Sequence, residues 1–366
     1  MCLSHHIDSA FQQDRADAFA GRLLDTLNQG ALCLMLSIGH RTGLFDVMAS
    51  TGPALPERIA TEAGLDDRYI REWLGAMLTG GVVEYEADAG TYRLPEEHAA
   101  VLTRNAGGDN VAVFAQYIAV LGGVEDDIVG CFREGGGVPY TRFPRFHEVM
   151  AEDSAQTVLA ALFDHILPLA PDVMQRLDRG IHVLDLGCGS GRALNLMAAR
   201  FPRSRFTGYD LSHDAIAVAG QEASELGLTN VRFEARDLSD FDLSATPRAF
   251  DFVTTFDAVH DQAKPRRLLA GIYRTLRPGG VYLMQDIHAS SEQGENADHP
   301  LGTLLYTVSC MHCMTVSLAQ GGEGLGAMWG QEQAIALLRQ AGFEDIAVHQ
   351  LSHDFQNDYY VIRKYK

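Results

Sequence analysis

The sequence predicts a mainly helical N-terminal module followed by an α/β domain, a doubly wound seven-stranded sheet whose last strand is antiparallel. Three observations lead there. From about residue 180 onward, apolar strands alternate with helical segments, the pattern of right-handed crossovers and a parallel sheet covered on both faces. The last two strands, 346–351 and 359–363, are joined only by Ser352 to Asp358. That link is too short for a crossover and makes them an antiparallel pair. Ahead of the sheet, residues 14–78 carry apolar side chains mostly at helical spacing.

The elements follow in order. Phe19, Leu23, Leu27, Leu32, Met35 and Leu36 mark a helix from Asp14 to about Met48, and Pro56 to Ala60 and Asp67 to Leu78 mark two shorter ones. Val82 to Tyr85 and Thr91 to Leu94, separated by Asp88-Ala89-Gly90, form a hairpin. Three helices and a small hairpin make a winged-helix order. Its third helix offers only Arg68 and Arg71 beside Asp66, Asp67 and Glu72. A groove reader needs a basic face, so the module is expected to pair two chains rather than bind DNA. Helices continue from Asn110 to Phe132, and Glu134-Gly135-Gly136-Gly137-Val138-Pro139 is the strongest linker signal. This places domains at 1–135 and 136–366, with a substrate-pocket insertion at about 290–330. A helix from Phe146 to Leu177 precedes five strands, His182–Leu186, Arg205–Asp210, Val231–Arg236, Phe250–Thr255 and Val281–Ile287.

Composition narrows the partners. The chain has 366 residues, 46% hydrophobic and 21% charged, and its 29 basic against 48 acidic side chains leave a formal charge of −19. Such a field repels nucleic acid and anionic membranes. The apolar stretch Ala31–Ile38 is about half of a bilayer span, and the N-terminus lacks the order of a signal peptide; a cytoplasmic location is expected. Cys2, Cys33, Cys131, Cys188, Cys310 and Cys313 are too sparse for a disulfide framework. Cys310-Met311-His312-Cys313 has CxxC spacing, but no second pair completes four ligands, and no metal is expected.

The chemistry concentrates at Asp185-Leu186-Gly187-Cys188-Gly189-Ser190-Gly191, a buried strand running into a glycine-rich turn and a helix. The next two strands end in Asp210 and Asp237. Both acids then lie at the carboxyl edge of the sheet, where doubly wound folds hold ribose hydroxyls, and with the turn they define a nucleoside-sized crevice. The glycines follow GxGxG, not the GxGxxG that cradles a dinucleotide pyrophosphate, which makes a nicotinamide-dependent oxidoreductase the lesser alternative. A cofactor-sensing transcriptional regulator is the other.

Asp185 to Gly191, with Leu276-Arg277-Pro278-Gly279-Gly280 ahead of the fifth strand, resembles the class I S-adenosylmethionine-dependent methyltransferases over about residues 140–366. The resemblance implies S-adenosyl-L-methionine as cofactor. It also implies that Gly187, Gly189 and Gly191 make room for the methionine end, that Asp210 holds the ribose, and that Asp237 and Leu238 face the adenine. Asp185, Leu211, Phe256, Met150, Ser154 and Tyr140 complete the implied cofactor site. Phe146 to Ser154 and Asp257-Ala258-Val259-His260-Asp261-Gln262 look more narrowly like the plant and antibiotic O-methyltransferases, which dimerise through an N-terminal winged helix. That likeness sets His260 at the general base, with Gln262 where the family has Trp. A histidine near its ordinary pKa can take a proton from a hydroxyl or thiol acceptor. Asp261, adjacent in sequence, is not expected to face the imidazole, and an orienting carboxylate must come from elsewhere. His312 is the rival base, in the apolar stretch 304–318 where Tyr306, Met311, Cys313 and Met314 are expected to line a small-molecule acceptor pocket. Tyr140, Phe143 and His147 could supply a cation-π contact of roughly 0.5 to 2 kcal/mol to a sulfonium. The glycine-rich 320–326 is expected to be mobile, a lid over the pocket.

Overall fold

A computed structural model describes residues 11–365; Cys2 lies outside the described residues. The chain divides into two compact units, Met1–Ala119 and Val120–Lys366. In the first, α1 (Gln13–Thr42) ends where Gly43 turns left-handed, and α2 (Leu44–Thr51), α3 (Pro56–Ala63) and α4 (Asp67–Thr79) follow. The Asp66 side chain caps α4 by accepting from the backbone N–H groups of Arg68 and Tyr69. Phe45, Ile59, Trp73, Leu74 and Met77 form the core of this unit, and Trp73 Nε1 donates to the Met35 carbonyl at 2.9 Å. The wing is shorter than its sequence suggests: β1 (Glu84–Glu86) pairs with β2 (Thr91–Arg93), opposing Tyr85 to Tyr92. The N-terminal two thirds of α1 is exposed, including Phe19 at 51%, Leu24 at 64% and Leu27 at 70%.

The second unit holds the sheet: β3 (His182–Leu186), β4 (Arg205–Asp210), β5 (Val231–Ala235), β6 (Phe250–Phe256), β7 (Leu276–Ile287), β8 (Asp345–Leu351) and β9 (Asp354–Lys364). Their spatial order is β5-β4-β3-β6-β7-β9-β8. The first five are parallel, and β9 alone runs against its neighbours, slotted between β7 and β8. Buried apolar clusters cover both faces, one including Leu184, Val253, Tyr282 and Leu337, the other Val183, Phe252, Leu283 and Tyr359. Val183 and Leu184 therefore point to opposite cores, as alternation along a strand requires.

Three expectations need correction. The long helix expected over 146–177 is broken into Phe146–Ser154, two wide π turns (Ala155–Leu159 and Leu162–Ile166), a 3-10 turn and Pro171–Arg179. Pro168 and Pro171 have no N–H to continue the ladder, and their rings clash with the preceding turn. The glycine run 135–137 lies inside the second unit, and Val138 N just after it donates to Thr315 Oγ1 at 2.8 Å. Nor is 320–326 a loose lid. Ser317 accepts from Gly322 N and Gly324 N, Ala263 O accepts from Glu323 N, and Lys264 reaches the Gly321 carbonyl.

Leu184 is fully buried on the central strand. Leu184→Ala is expected to cost about 2 to 5 kcal/mol, the range for truncating a buried leucine, seen as a lower urea midpoint with an unchanged slope.

Candidate functional site

The site grows from the split in the sheet. β3 pairs with β4 on one side and with β6 on the other, so the chain's crossovers leave β3 in opposite directions and open a crevice beyond its carboxyl end. The glycine turn occupies that end. Gly187 has φ +72°, and a Cβ there would lie 2.6 Å from the Ala258 side chain; at Gly191, φ +69°, it would lie 2.5 Å from the Phe233 ring. Only glycine lets the turn pass this close. Gly187 N and Cys188 N donate to the Tyr209 carbonyl. Asp210 holds the turn from β4, its Oδ2 accepting from Gly189 N and its Oδ1 from Ser212 N, both at 2.8 Å. Beneath lies Asp185, 2% exposed, accepting from Thr254 Oγ1 at 2.7 Å. Burial pushes its carboxyl up to about 7, against the Thr254 hydrogen bond that favours the charge.

Around this crevice the other sequence-derived positions fall unevenly. Asp237 follows β5, exposed, with Oδ1 accepting from Ser239 N. Leu211 is 55% exposed, Leu238 is 5% exposed within the core, and Phe256 is half-buried at the end of β6. Met150 and Ser154 are half-buried on the helix Phe146–Ser154.

His260 stands in the turn after β6, 3% exposed. Its Nδ1 lies 2.8 Å from Asp286 Oδ1 at the end of β7 and 3.7 Å from Asp257 Oδ1. The same Asp286 oxygen accepts from Trp329 Nε1 and from its neighbour's amide, Ile287 N, each at 2.9 Å. Asp286 is thus the orienting carboxylate, from the strand next to β6. Burial alone would push the imidazole down; the Asp286 carboxylate, and then Cys313, outweigh it and hold His260 well above an ordinary histidine. Burial raises Asp257 to about 7 and Asp261 to about 6, with the His260 charge acting the other way. Asp257, His260 and Asp286 each bring a potential donor atom within 4.8 Å of the others. With three hydrogen bonds already on Asp286 Oδ1, the set reads as a carboxylate-held imidazole. Gln262 Nε2 turns back to the Ala258 carbonyl at 3.0 Å.

His312 is in another environment altogether. It is 1% exposed, lies 3.4 Å from the Phe146 ring centroid at an interplanar angle of 8°, and meets Tyr140 and Phe143 edge-on. Neither ring nitrogen has a hydrogen-bond partner, and burial drives the imidazole down to about 3. It stays neutral and binds protons too weakly to serve as a base near neutral pH. Tyr140 is itself half-buried, with its hydroxyl 3.3 Å from His147 Nδ1.

A cavity of about 740 Å³ adjoins the stretch that carries His312. Ile128, Phe132, Asn296, Tyr306, Cys310 and Met311 are among its walls. Of the residues expected at an acceptor pocket, Tyr306 and Met311 are among the walls of this cavity. Cys313 and Met314 are not among its walls: Cys313 is buried, and Met314 lies beside Gly326. The helical stretch Gly302–Ala319 is the one among the described residues long and apolar enough to cross a bilayer, and 44% of it is buried within the fold. Sequence reasoning missed Trp329 and Phe146 as partners of the two histidines, since aromatic core residues carry no mark of what they face. Asp286 was signalled by its place at the end of the strand beside β6.

The chain is similar to known proteins. Residues 30–104 match the Rv2258c-like winged HTH domain, and residues 177–342 match a methyltransferase domain. Over 103 residues the chain is 37% identical to trans-aconitate 2-methyltransferase of Deinococcus radiodurans, covering 28% of this chain and 36% of that protein. The match spans little more than a third of that relative's length. The fold is that of solved methyltransferases. Human N-acetylserotonin methyltransferase in complex with SAM aligns with a TM-score of 0.64 at 21% identity, over 98% of this chain and 99% of that one. Mitomycin 7-O-methyltransferase MmcR gives 0.68 at 17%, over 96% and 99%.

Asp185 yields a prediction with a definite sign. Its folded-state pKa, about 7 against 3.8 for an ordinary aspartate, means the folded state holds a proton that the unfolded chain releases. Stability is therefore expected to fall as pH rises between about 4 and 7. Asp185→Asn should flatten that decline in urea titrations across the window, and an unchanged slope would assign it to other groups.

Proposed function

From a chain that carries a methyltransferase domain C-terminal to a winged helix-turn-helix domain, we propose S-adenosylmethionine-dependent methyl transfer to a small-molecule oxygen or sulfur nucleophile, with His260 as general base. The observation that carries this reading is the glycine turn held by Asp210 at the switch between β3 and β6, where a doubly wound sheet binds nucleoside ligands. The residues there fit the cofactor. Gly187, Gly189 and Gly191 leave room for its methionine end, above Asp185. Asp210 faces the ribose hydroxyls, and Leu211, Asp237 and Leu238 flank the adenine. Phe256, Met150, Ser154 and Tyr140 close the site. When bound, the cofactor supplies an electrophilic methyl group on a cationic sulfonium.

The chain's own work is alignment and proton transfer. An in-line displacement needs donor and acceptor held in reach of one another, and the cavity bounded by Tyr306 and Met311 offers the acceptor a mostly apolar seat. His260, steadied through Nδ1 by Asp286, takes the acceptor's proton on its other ring nitrogen. His312 suits the base role less, since burial lowers its proton affinity, and serves as part of the aromatic wall with Tyr140 and Phe146. The reading needs no metal. Oxygen as nucleophile is supported by the name of the mitomycin neighbour. The first unit fits a pairing role: in α4, Arg68 and Arg71 are already bound to Glu72, Asp67 and Glu57, leaving no basic face for DNA. The bare apolar side chains of α1 fit the same role, and a cytoplasmic location fits the reading.

Incubation with methyl-labelled cofactor and fractionated cell extract tests the reading; label in a small-molecule fraction is expected, and label in nucleic acid would overturn it. His260→Ala should lower turnover by roughly 10² to 10⁴, the worth of a general base, with S-adenosylhomocysteine affinity nearly unchanged. Because His260 must first lose a tightly held proton, the rate should climb as pH rises above neutral. For the pairing module, Leu24→Glu with Leu27→Glu should convert a dimer to a monomer in light scattering, and an unaltered mass would assign pairing to another surface.

A further inference from the structure

The cavity of about 740 Å³ beside the His312 stretch is built without a counter-charge for an anion. Among the described residues, no lysine or arginine lines it, and its one formally charged wall residue is Glu125, exposed in the first turn of the helix Glu125–Glu134. Asp126 and Asp127 share that turn, so carboxylates already answer the positive end of the helix dipole. His299 adds no positive charge either. Its Nε2 donates to the His288 carbonyl at 3.0 Å and its Nδ1 accepts from Leu301 N at 3.1 Å, which fixes the neutral tautomer, since a carbonyl only accepts and a backbone N–H only donates. Asn296 is equally committed. Its Oδ1 accepts from Ser290 N at 2.9 Å, while its Nδ2 donates to the Ser290 carbonyl at 2.8 Å and to the Tyr306 hydroxyl at 3.1 Å. Ile128, Val129, Phe132 and Met311 add apolar wall.

We propose that this cavity selects its guest by charge: the methyl acceptor seated there carries no negative charge, carboxylates and phosphates are refused, and Glu125 favours a protonated amine over an uncharged group. This rests on the reading of the cavity as the acceptor's seat. An anion entering a mostly apolar wall gives up hydration that a paired cation would have to replace, and the wall holds no cation. The whole chain acts in the same direction, because its formal charge of −19 keeps anions away and draws cations in. Glu125 stands at the rim in contact with solvent, so its attraction for an amine is the modest one of an exposed ion pair.

Three phenols of one shape test this on the full chain near neutral pH: 3-hydroxybenzylamine, 3-hydroxybenzyl alcohol and 3-hydroxybenzoate, a cation, a neutral molecule and an anion. Binding is read by saturation-transfer NMR, with S-adenosylhomocysteine binding measured on every variant as the check that it is folded. The benzoate is expected to bind at least roughly tenfold more weakly than the alcohol, and the amine roughly threefold more tightly. In Glu125→Gln the ratio of amine to alcohol should fall close to one. Thr303→Trp and Thr307→Trp, two independent ways of filling the cavity from its wall, should abolish binding of the amine and the alcohol. Benzoate bound as well as the alcohol, binding of none of the three, or signals that persist in both tryptophan variants would each overturn the proposal, and an amine preference that survives Glu125→Gln would remove Glu125 from it. Label transfer from S-adenosylmethionine to small molecules of a cell extract, run on the same tryptophan variants, tests the seat separately. Undiminished transfer with the cavity filled would overturn that reading while leaving the charge order of binding as measured.

Discussion

Everything chemical in this chain depends on where a parallel sheet divides. β3 lies between β4 and β6, and its crossovers leave in opposite directions, so the backbone beyond its carboxyl end cannot be covered by either flanking helix. A crevice is the unavoidable result. The glycine turn, Asp210 from the strand on one side and the His260 turn from the strand on the other all follow the carboxyl ends of these strands. Gly187 makes the dependence concrete, since its missing side chain is what lets the turn after β3 lie against Ala258 in the turn after β6.

Burial then decides the electrostatics. Asp185, Asp257 and Asp261 are ordinary acids made reluctant to ionise by their surroundings. Among them one imidazole is held in the opposite sense by Asp286, which is itself steadied by Trp329 and a backbone amide. Two histidines of the same chain end with opposed tendencies, His260 holding its proton and His312 refusing one. The physical difference is a carboxylate within hydrogen-bond reach of one and only aromatic faces around the other.

The first unit follows a different logic. Its core of Phe45, Trp73 and Met77 is complete, yet α1 continues well past it with Leu24 and Leu27 in solvent. Exposed leucines on a long helix are the kind of apolar surface that a partner covers, and the proposed pairing role rests on them.

By itself, the sequence determined the order of helix and strand, the antiparallel last strand, the glycine turn and the acids Asp210 and Asp237 at strand ends. These are local signals, in which periodicity, glycine spacing and link length act over a few residues. Helix breaks at Pro168 and Pro171 were equally local, but a continuous apolar pattern masked them. Only the tertiary structure decided what His260 and His312 touch, that Asp286 and Trp329 meet beside the His260 imidazole, and that 320–326 is tied down by Ser317 and Ala263. Those outcomes depend on contacts between residues far apart in sequence, and on burial that no single residue's identity reveals. The same histidine side chain holds its proton or refuses one according to the dielectric and charges the fold brings to it.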